Sequence, residues 1–420
     1  MDRRTLLKAG GAAILGLGFG GCATTRARSA APPRRSPARL RLNLPPIKAS
    51  WDRVLRTTVG LRPHRPAGFV VRAEKLDAKT LIHDYGHGGT GLSLGWGTGA
   101  MAADLALQQP ERRAAVLGCG AVGLTVARQL QRRGFGVTIY TKTVPPDTTS
   151  NMALAAFTPT AGLLSAPRTP EWDAQFRQAA EISYTQLQLL VGPRYGLTWI
   201  DSYNMTDTPP SAANANQTEE QTLIAGLLPA HLRTGQVVLE PGEHPFPTTY
   251  AVRRSTLRIE PSIYLDALAR DVLQFGGHIV IRTFDAPRDL MSLSEPVIVN
   301  CTGLGSRDLF ADQTMMPVKG QLSVIVPQPE VDYQLSGGGE RTGNVRASAM
   351  PRSDGIVIGN SQERGVSTLE PNEETRKRNI DAAIAVFGAI WGFAPDRPIT
   401  RSVAPSPVPA IEDFFGLEEC

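Results

Sequence analysis

Residues 114–142 constrain the chain more tightly than any other stretch. Ala114 to Leu117 is apolar, Gly118-Cys119-Gly120-Ala121-Val122-Gly123 follows, and Val122, Val126 and Leu130 then recur every four residues. Gly134 and Gly136 end that pattern before a second apolar run, Val137 to Thr141. The order predicts a buried strand, a tight turn, a helix and a second strand, the opening of a dinucleotide-binding α/β domain. The glycines of G-x-G-x-x-G have separate tasks: one makes the turn, one lets backbone approach a pyrophosphate, and one lets helix pack on strand. The first helical turn offers unpaired N–H groups and the positive end of the helix dipole. Gly118, Cys119, Gly120, Val122 and Gly123 are therefore the expected phosphate-facing residues.

One rule of this pattern is broken. The residue closing the second strand is ordinarily acidic and accepts from the ribose hydroxyls. Here it is Lys142. Either it meets the 2′-phosphate of NADP, or another group, such as Asp147 or the backbone, replaces the ribose contact.

The 420 residues suit two structural units. The net charge of +5 misleads, because residues 1–40 hold eight Lys or Arg against Asp2, leaving the remainder slightly acidic. A nucleic-acid surface is not expected. Cys22, Cys119, Cys301 and Cys420 are spaced for neither a zinc site nor a disulfide framework, so no metal is expected.

The first forty residues look like an address. Asp2-Arg3-Arg4-Thr5-Leu6-Leu7-Lys8 precedes an apolar, Gly-rich run from Ala9 to Gly21, too short to span a bilayer comfortably. The paired arginines resemble a twin-arginine export signal, a route that carries folded proteins. The expected location is the periplasm or outside the cell, with the twin-arginine machinery as a partner. Phe19-Gly20-Gly21-Cys22 offers a candidate lipid anchor at Cys22, and residues 23–45 read as a tether.

Six further stretches carry a family resemblance. Pro146-Asp147-Thr148-Thr149-Ser150-Asn151-Met152-Ala153, Val297-Ile298-Val299-Asn300-Cys301-Thr302-Gly303 and Pro317-Val318-Lys319-Gly320-Gln321 resemble segments of D-amino-acid oxidases. Gly60-Leu61-Arg62-Pro63-His64-Arg65-Pro66, Arg72-Ala73-Glu74 and His83-Asp84-Tyr85-Gly86-His87-Gly88-Gly89-Thr90-Gly91 resemble the family's G-x-R-P-x-R-P, R-x-E and H-N-Y-G-H-G-G-x-G motifs. In the family these three lie near the C-terminus; here they precede the glycine-rich turn. The resemblance implies a circular permutation, with Leu105 to Ala114 as the new linker.

The implied fold is an FAD-binding Rossmann-type, glutathione-reductase-like α/β domain plus an α+β substrate domain with a mixed sheet. The expected boundaries are a signal and linker over 1–45, the FAD-binding domain over 46–165 and 250–312, the substrate or cap domain over 166–249 and 313–404, and a tail over 405–420. Residues 202–255 read as irregular and suited to a lid, and Glu373 to Trp391 as an amphipathic helix.

The resemblance implies FAD as cofactor, held also by Lys142, Thr148, Thr149, Ser150, Thr302 and Gly303. Gly88, Gly89, Thr90, Gly91, Leu92 and Ser93 match the loop against the flavin ring. It places Arg72 on the substrate's α-carboxylate, with Gly89 beside the reacting atoms, and gives His87 a structural role. The implied reaction is oxidation of a D-amino acid or related amine acid to an imino acid, then an oxo acid and ammonia, with oxygen or another acceptor taking the electrons. Two departures leave the substrate open: the family's tyrosine positions hold Asn344 and Ser348, and Thr158 replaces a glutamine. Arg346 would favour an acidic substrate. The alternative is a periplasmic protein that keeps flavin with altered or lost amine-oxidising activity.

Overall fold

The computed structural model describes residues 42–154, 156–209 and 219–391. The export signal, Cys22, most of the tether, and the tail from residue 392, including Cys420, lie outside the described residues. In chain order the elements are β1 (Val54–His64), β2 (Val70–Leu76), β3 (Lys79–Tyr85), α1 (Gly91–Leu107), β4 (Arg113–Leu117), α2 (Ala121–Arg132), β5 (Gly136–Thr141), α3 (Pro170–Leu189), β6 (Leu197–Thr206) and α4 (Glu219–Ile224). They continue with β7 (Gln236–Leu239), β8 (Tyr250–Ile259), α5 (Pro261–Gln274), β9 (His278–Ile281), β10 (Val297–Asn300), α6 (Ser306–Leu309), β11 (Met316–Ile325), β12 (Tyr333–Gly337), β13 (Ala347–Arg352), β14 (Gly355–Ile358), β15 (Glu363–Arg364) and α7 (Glu373–Trp391).

The glycine-rich turn belongs to a six-stranded sheet ordered β2-β3-β10-β4-β5-β9. Five of its strands are parallel and β2 is an antiparallel edge. Its central strands are buried on both faces, which is why β10 reads as an unbroken apolar run followed by Asn300. Helix α1 packs on α2 through Gly91, Gly95 and Gly99, one glycine per turn. A Cβ on Gly95 would fall 2.7 Å from Thr125 Oγ1, and one on Gly99 would fall 3.1 Å from the Val126 nitrogen. Gly97 faces α3 instead, where a Cβ would lie 2.0 Å from the Ala179 carbonyl oxygen. Glycine replaces larger residues because the helix backbones need the space.

The other sheet is ordered β1-β11-β14-β13-β12-β6-β8-β7, with β15 added on β11. One face is covered by α7, whose Ala383, Val386 and Phe387 pack with Ile325, Leu335, Ile356 and Ile358. The opposite face presents Leu322, Val324, Met350 and Val357 to Leu154 and Ala156.

Three sequence expectations shift. β1 and β8 fall in stretches given to the cofactor half, yet both are strands of the second sheet; β1 forms a long ladder with β11. Helix α3 falls in the stretch expected for the substrate half, but it packs on α1 in the core of the first sheet. Residues 202–255, expected irregular, contribute to β6, β7 and β8. Alternation predicts a strand but not its partner, and the polar face of β6 hides its strand pattern.

Candidate active site

The two glycine-rich turns meet. Gly91 opens α1 and faces Val122 of α2, where a Cβ on Gly91 would lie 3.2 Å from Val122 Cγ2. Gly118 has φ +106° and sits against the Cys301 carbonyl oxygen, which a Cβ would approach to 2.7 Å. A Cβ on Gly123 would lie 2.0 Å from the Gly118 carbonyl oxygen. That glycine is what lets α2 start directly behind β4. Cys119 is buried, and burial pushes its thiol up to about 12, so it is a packing group rather than a nucleophile.

The Thr/Ser-rich segment closes over this turn. Ser150 Oγ accepts from the Ala121 N–H at 3.0 Å and lies 3.1 Å from where a Cβ on Gly120 would be. Among the described residues nothing accepts from the Val122 or Gly123 N–H. Buried Thr148 donates to Asn151 Oδ1 at 2.7 Å and braces the loop, while Thr149 is exposed. Lys142 directly follows β5 and is exposed, as is Asp147. After β10, Asn300 Oδ1 accepts from the Thr302 N–H and hydroxyl at 3.1 and 2.7 Å, which shapes the turn at Gly303, φ +57°.

The Gly88–Ser93 turn forms the other wall. Gly88 and Gly89 have φ +60° and +106°. The Gly88 N–H donates to the Pro63 carbonyl at 3.0 Å, Thr90 Oγ1 donates to the His87 carbonyl at 2.7 Å, and Ser93 Oγ accepts from the Thr158 N–H at 2.9 Å. No described group accepts from the Gly91 or Leu92 N–H, and Leu92 is buried. His87 is buried under the turn, stacks on Phe69 and lies 3.1 Å from Thr98 Oγ1, and burial pushes its ring down to about 3. Buried Asp84 lies 3.5 Å from His87 Nε2, and burial pushes its carboxyl well above the usual carboxylate range. Both groups support the turn from below.

Arg72, expected at the substrate carboxylate, faces solvent. Arg72 lies on edge strand β2, with 57% of its side chain exposed, and is ion-paired to Glu74 at 2.5 Å. A guanidinium so neutralised and solvated is a surface pair. Arg62, from β1, is the arginine brought to the turn. A Cβ on Gly89 would meet its Cδ at 2.8 Å, and one on Gly320 would meet its Nη1 at 2.7 Å. Its Nη1 donates to the Ser361 carbonyl at 3.1 Å and its Nη2 to Asn360 Oδ1 at 2.6 Å. No acidic side chain among the described residues pairs with it, and desolvation lowers its affinity for the proton. The G-x-R-P stretch contained this signal. R-x-E offers a second arginine, and only the β1–β11 ladder shows which one points inward.

These walls suit a flavin dinucleotide: glycines that let the turns and helices pack closely around one place, and two helix starts with N–H groups unpaired among the described residues. The model for FAD dependent oxidoreductases matches residues 113–414. The chain belongs to that family. It is an FAD-dependent oxidoreductase with the expected two-sheet α/β fold. It is 26% identical over 66% of its length to a D-amino acid oxidase of Dugesia ryukyuensis, covering 78% of that protein. It is 26% identical over 67% of its length to a human D-aspartate oxidase, covering 77% of that one. A solved glycine oxidase from Geobacillus kaustophilus superposes with a TM-score of 0.49 at 15% identity, over 66% of this chain and 79% of that one.

Proposed function

We propose that this flavoenzyme oxidises the CH–NH2 group of a D-amino acid or related amine acid, with Arg62 holding the α-carboxylate. The observation that carries the reading is the half-buried Arg62 guanidinium, lacking an acidic partner and lying against Gly89. Its two terminal nitrogens each keep a second N–H after bonding Ser361 and Asn360, enough for the two parallel bonds a carboxylate takes. Bound FAD supplies the hydride acceptor for the substrate α-carbon.

The remaining work of the chain is placement. Gly89 carries no side chain, which lets Arg62 pack directly on the turn and brings its guanidinium to the substrate's reacting end. The unpaired N–H groups of Gly91 and Leu92 provide donors for negative charge. Leu154, Met350 and Leu322 form an apolar backing that excludes water. The product imine then hydrolyses to an oxo acid and ammonia, with oxygen or another acceptor taking up the electrons.

The reading that the family's segments occur in permuted order is supported by the family match starting at Arg113, the first residue of β4, downstream of residues 59–99. Export by the twin-arginine route to the periplasm, with lipid anchorage at Cys22 as a further step, rests on residues 2–22 of the sequence.

An anaerobic absorption spectrum of the purified yellow protein tests the function. Bleaching by D-amino acids and not by their L-enantiomers is expected. A flavin that no amine acid on a broad panel bleaches sinks the proposal.

A further inference from the structure

The second sheet carries a polar row beside Arg62 that the reaction itself does not require. Asn360, which Arg62 Nη2 contacts, follows Gly359, and the Gly359 N–H donates to the Ser348 carbonyl of β13 at 3.3 Å. Ser348 is registered against Ser336 of β12, and Ser336 against Asn204 of β6. Residues directly opposite in register share a face. That face is the one of Leu322, Met350 and Val357, which looks toward Leu154, because Ala347, Ala349, Leu335, Tyr203 and Met205 turn to the α7 side. The row crosses β13, β12 and β6 at about 4.8 Å per step, and its Ser348 end is joined through the Gly359 N–H to the residue before Asn360, the partner of Arg62.

Its chemistry is that of a donor surface. Ser336 Oγ donates to Asn204 Oδ1 at 3.2 Å, which turns the amide and leaves Asn204 Nδ2 without an acceptor among the described residues. Ser348 Oγ has no partner among them either, and all three side chains are only half-buried. No acidic side chain stands in the row. Two of these positions are serines and one an asparagine in the middle of strands, where β-branched or aromatic residues ordinarily pack.

Building on the proposed oxidation, we infer that Ser348, Ser336 and Asn204 form a side-chain subsite that selects a D-amino acid whose side chain ends in a hydrogen-bond acceptor, a carboxamide or a carboxylate. With the α-carboxylate on Arg62, a side chain two or three carbons long covers about one strand step along the row, and Asn204, whose Oδ1 accepts from Ser336 Oγ, extends the donor surface by the next strand. An apolar side chain of equal length leaves the Asn204 and Ser348 donors unpaired, and that loss discriminates more sharply than a missing methylene does.

The test compares kcat/KM of the holoenzyme for D-glutamine, D-glutamate and D-methionine, which have similar lengths. One or both of the first two are expected to exceed D-methionine by about tenfold or more. Asn204→Leu is expected to reverse that order. Asn204→Asp, which keeps size and polarity should the leucine variant misfold, is expected to lower D-glutamate turnover more than D-glutamine turnover by like-charge repulsion. D-Methionine equal to or better than both polar substrates overturns the inference while leaving the oxidation intact, and so does an unchanged order in the two variants. Absence of bleaching with every D-amino acid overturns the parent reading and this one with it.

Discussion

The Arg62 guanidinium lies over the backbone of Gly320, so close that a Cβ on that glycine would sit 2.7 Å from both terminal nitrogens. The glycine of the Pro317–Gln321 stretch of β11 is thus a seat for Arg62, the proposed carboxylate-binding group. Its neighbours fix the rest: buried Lys319 donates to the Glu370 carbonyl, and Gln321 is bonded to the Asn372 backbone in both directions. Because the atoms a new Cβ would meet are the mobile end of Arg62, Gly320→Ala should fold and retain flavin while displacing the guanidinium. A misplacement of that size costs on the order of 10²-fold in kcat/KM, carried chiefly by KM. Stopped-flow reduction with a D-amino acid reads it, and a wild-type KM in the variant removes Gly320 from the account.

Arg62 and Arg72 can be separated directly. Arg62→Lys keeps the charge but loses the planar fork, and kcat/KM should fall by about 10²-fold. Arg72→Ala removes an exposed pair with Glu74 and should change stability by less than about 0.5 kcal/mol, with activity near wild type. If the effects come out in the opposite order, the edge-strand arginine returns to the site.

The sequence disclosed what depends on local pattern. Gly118, Gly120 and Gly123 appeared at their spacing because a tight βα turn allows few residues, and Glu373–Trp391 showed as a helix by its period. The Gly88–Ser93 turn was legible through its resemblance to the family's H-N-Y-G-H-G-G-x-G motif, and the positive φ of Gly88 and Gly89 is the physical reason glycine stands there. What was hidden depends on strand partners. Nothing in Val54–His64 states that it pairs with Met316–Ile325, and that ladder alone turns Arg62 inward. The row Ser348–Ser336–Asn204 is drawn from three distant segments and exists only in register.

His87 gives the protein a measurable acid sensitivity. Burial holds its ring neutral down to about pH 3, whereas a free histidine takes up its proton near 6.5. Between those limits the unfolded chain binds a proton that the folded chain refuses, so stability falls as pH drops through the window, by at most about 1.4 kcal/mol per unit. Asp84 acts in the opposite sense. Its folded carboxyl keeps a proton that the unfolded chain loses above about 3.9, so its contribution is lost as pH rises from there. His87→Gln should flatten the decline of the urea midpoint between pH 6.5 and 4.5 relative to wild type. Parallel slopes would mean that this ring is not protected.

The proposed export has its own readout. Substituting Arg3→Lys and Arg4→Lys together changes only residues that precede those described. Twin-arginine targeting needs the guanidinium pair, so the variant should remain in the cytoplasm as folded, flavin-loaded protein. Unchanged export of the variant would assign the leader to a different route.

The closest backbone contact in the cofactor cradle sets the last expectation. Gly123 stands on the first turn of α2, and a Cβ there would fall 2.0 Å from the Gly118 carbonyl oxygen and 2.9 Å from its carbon. Those atoms are backbone in a buried turn and cannot swing aside as Arg62 can. Gly123→Ala must push α2 away from β4, and overpacking of this kind costs typically about 1–3 kcal/mol. The shift also retracts the Val122 N–H from the place where a pyrophosphate would lie. Gly136→Ala is the matched control: it opens β5, and its nearest neighbour to a new Cβ is the Arg112 carbonyl oxygen at 3.8 Å. Thermal unfolding and the FAD-to-protein ratio of the purified variants are the measurements. Gly123→Ala should emerge less stable and depleted in flavin, and Gly136→Ala near wild type in both. Full flavin content in Gly123→Ala would show that the turn has room that its contacts deny.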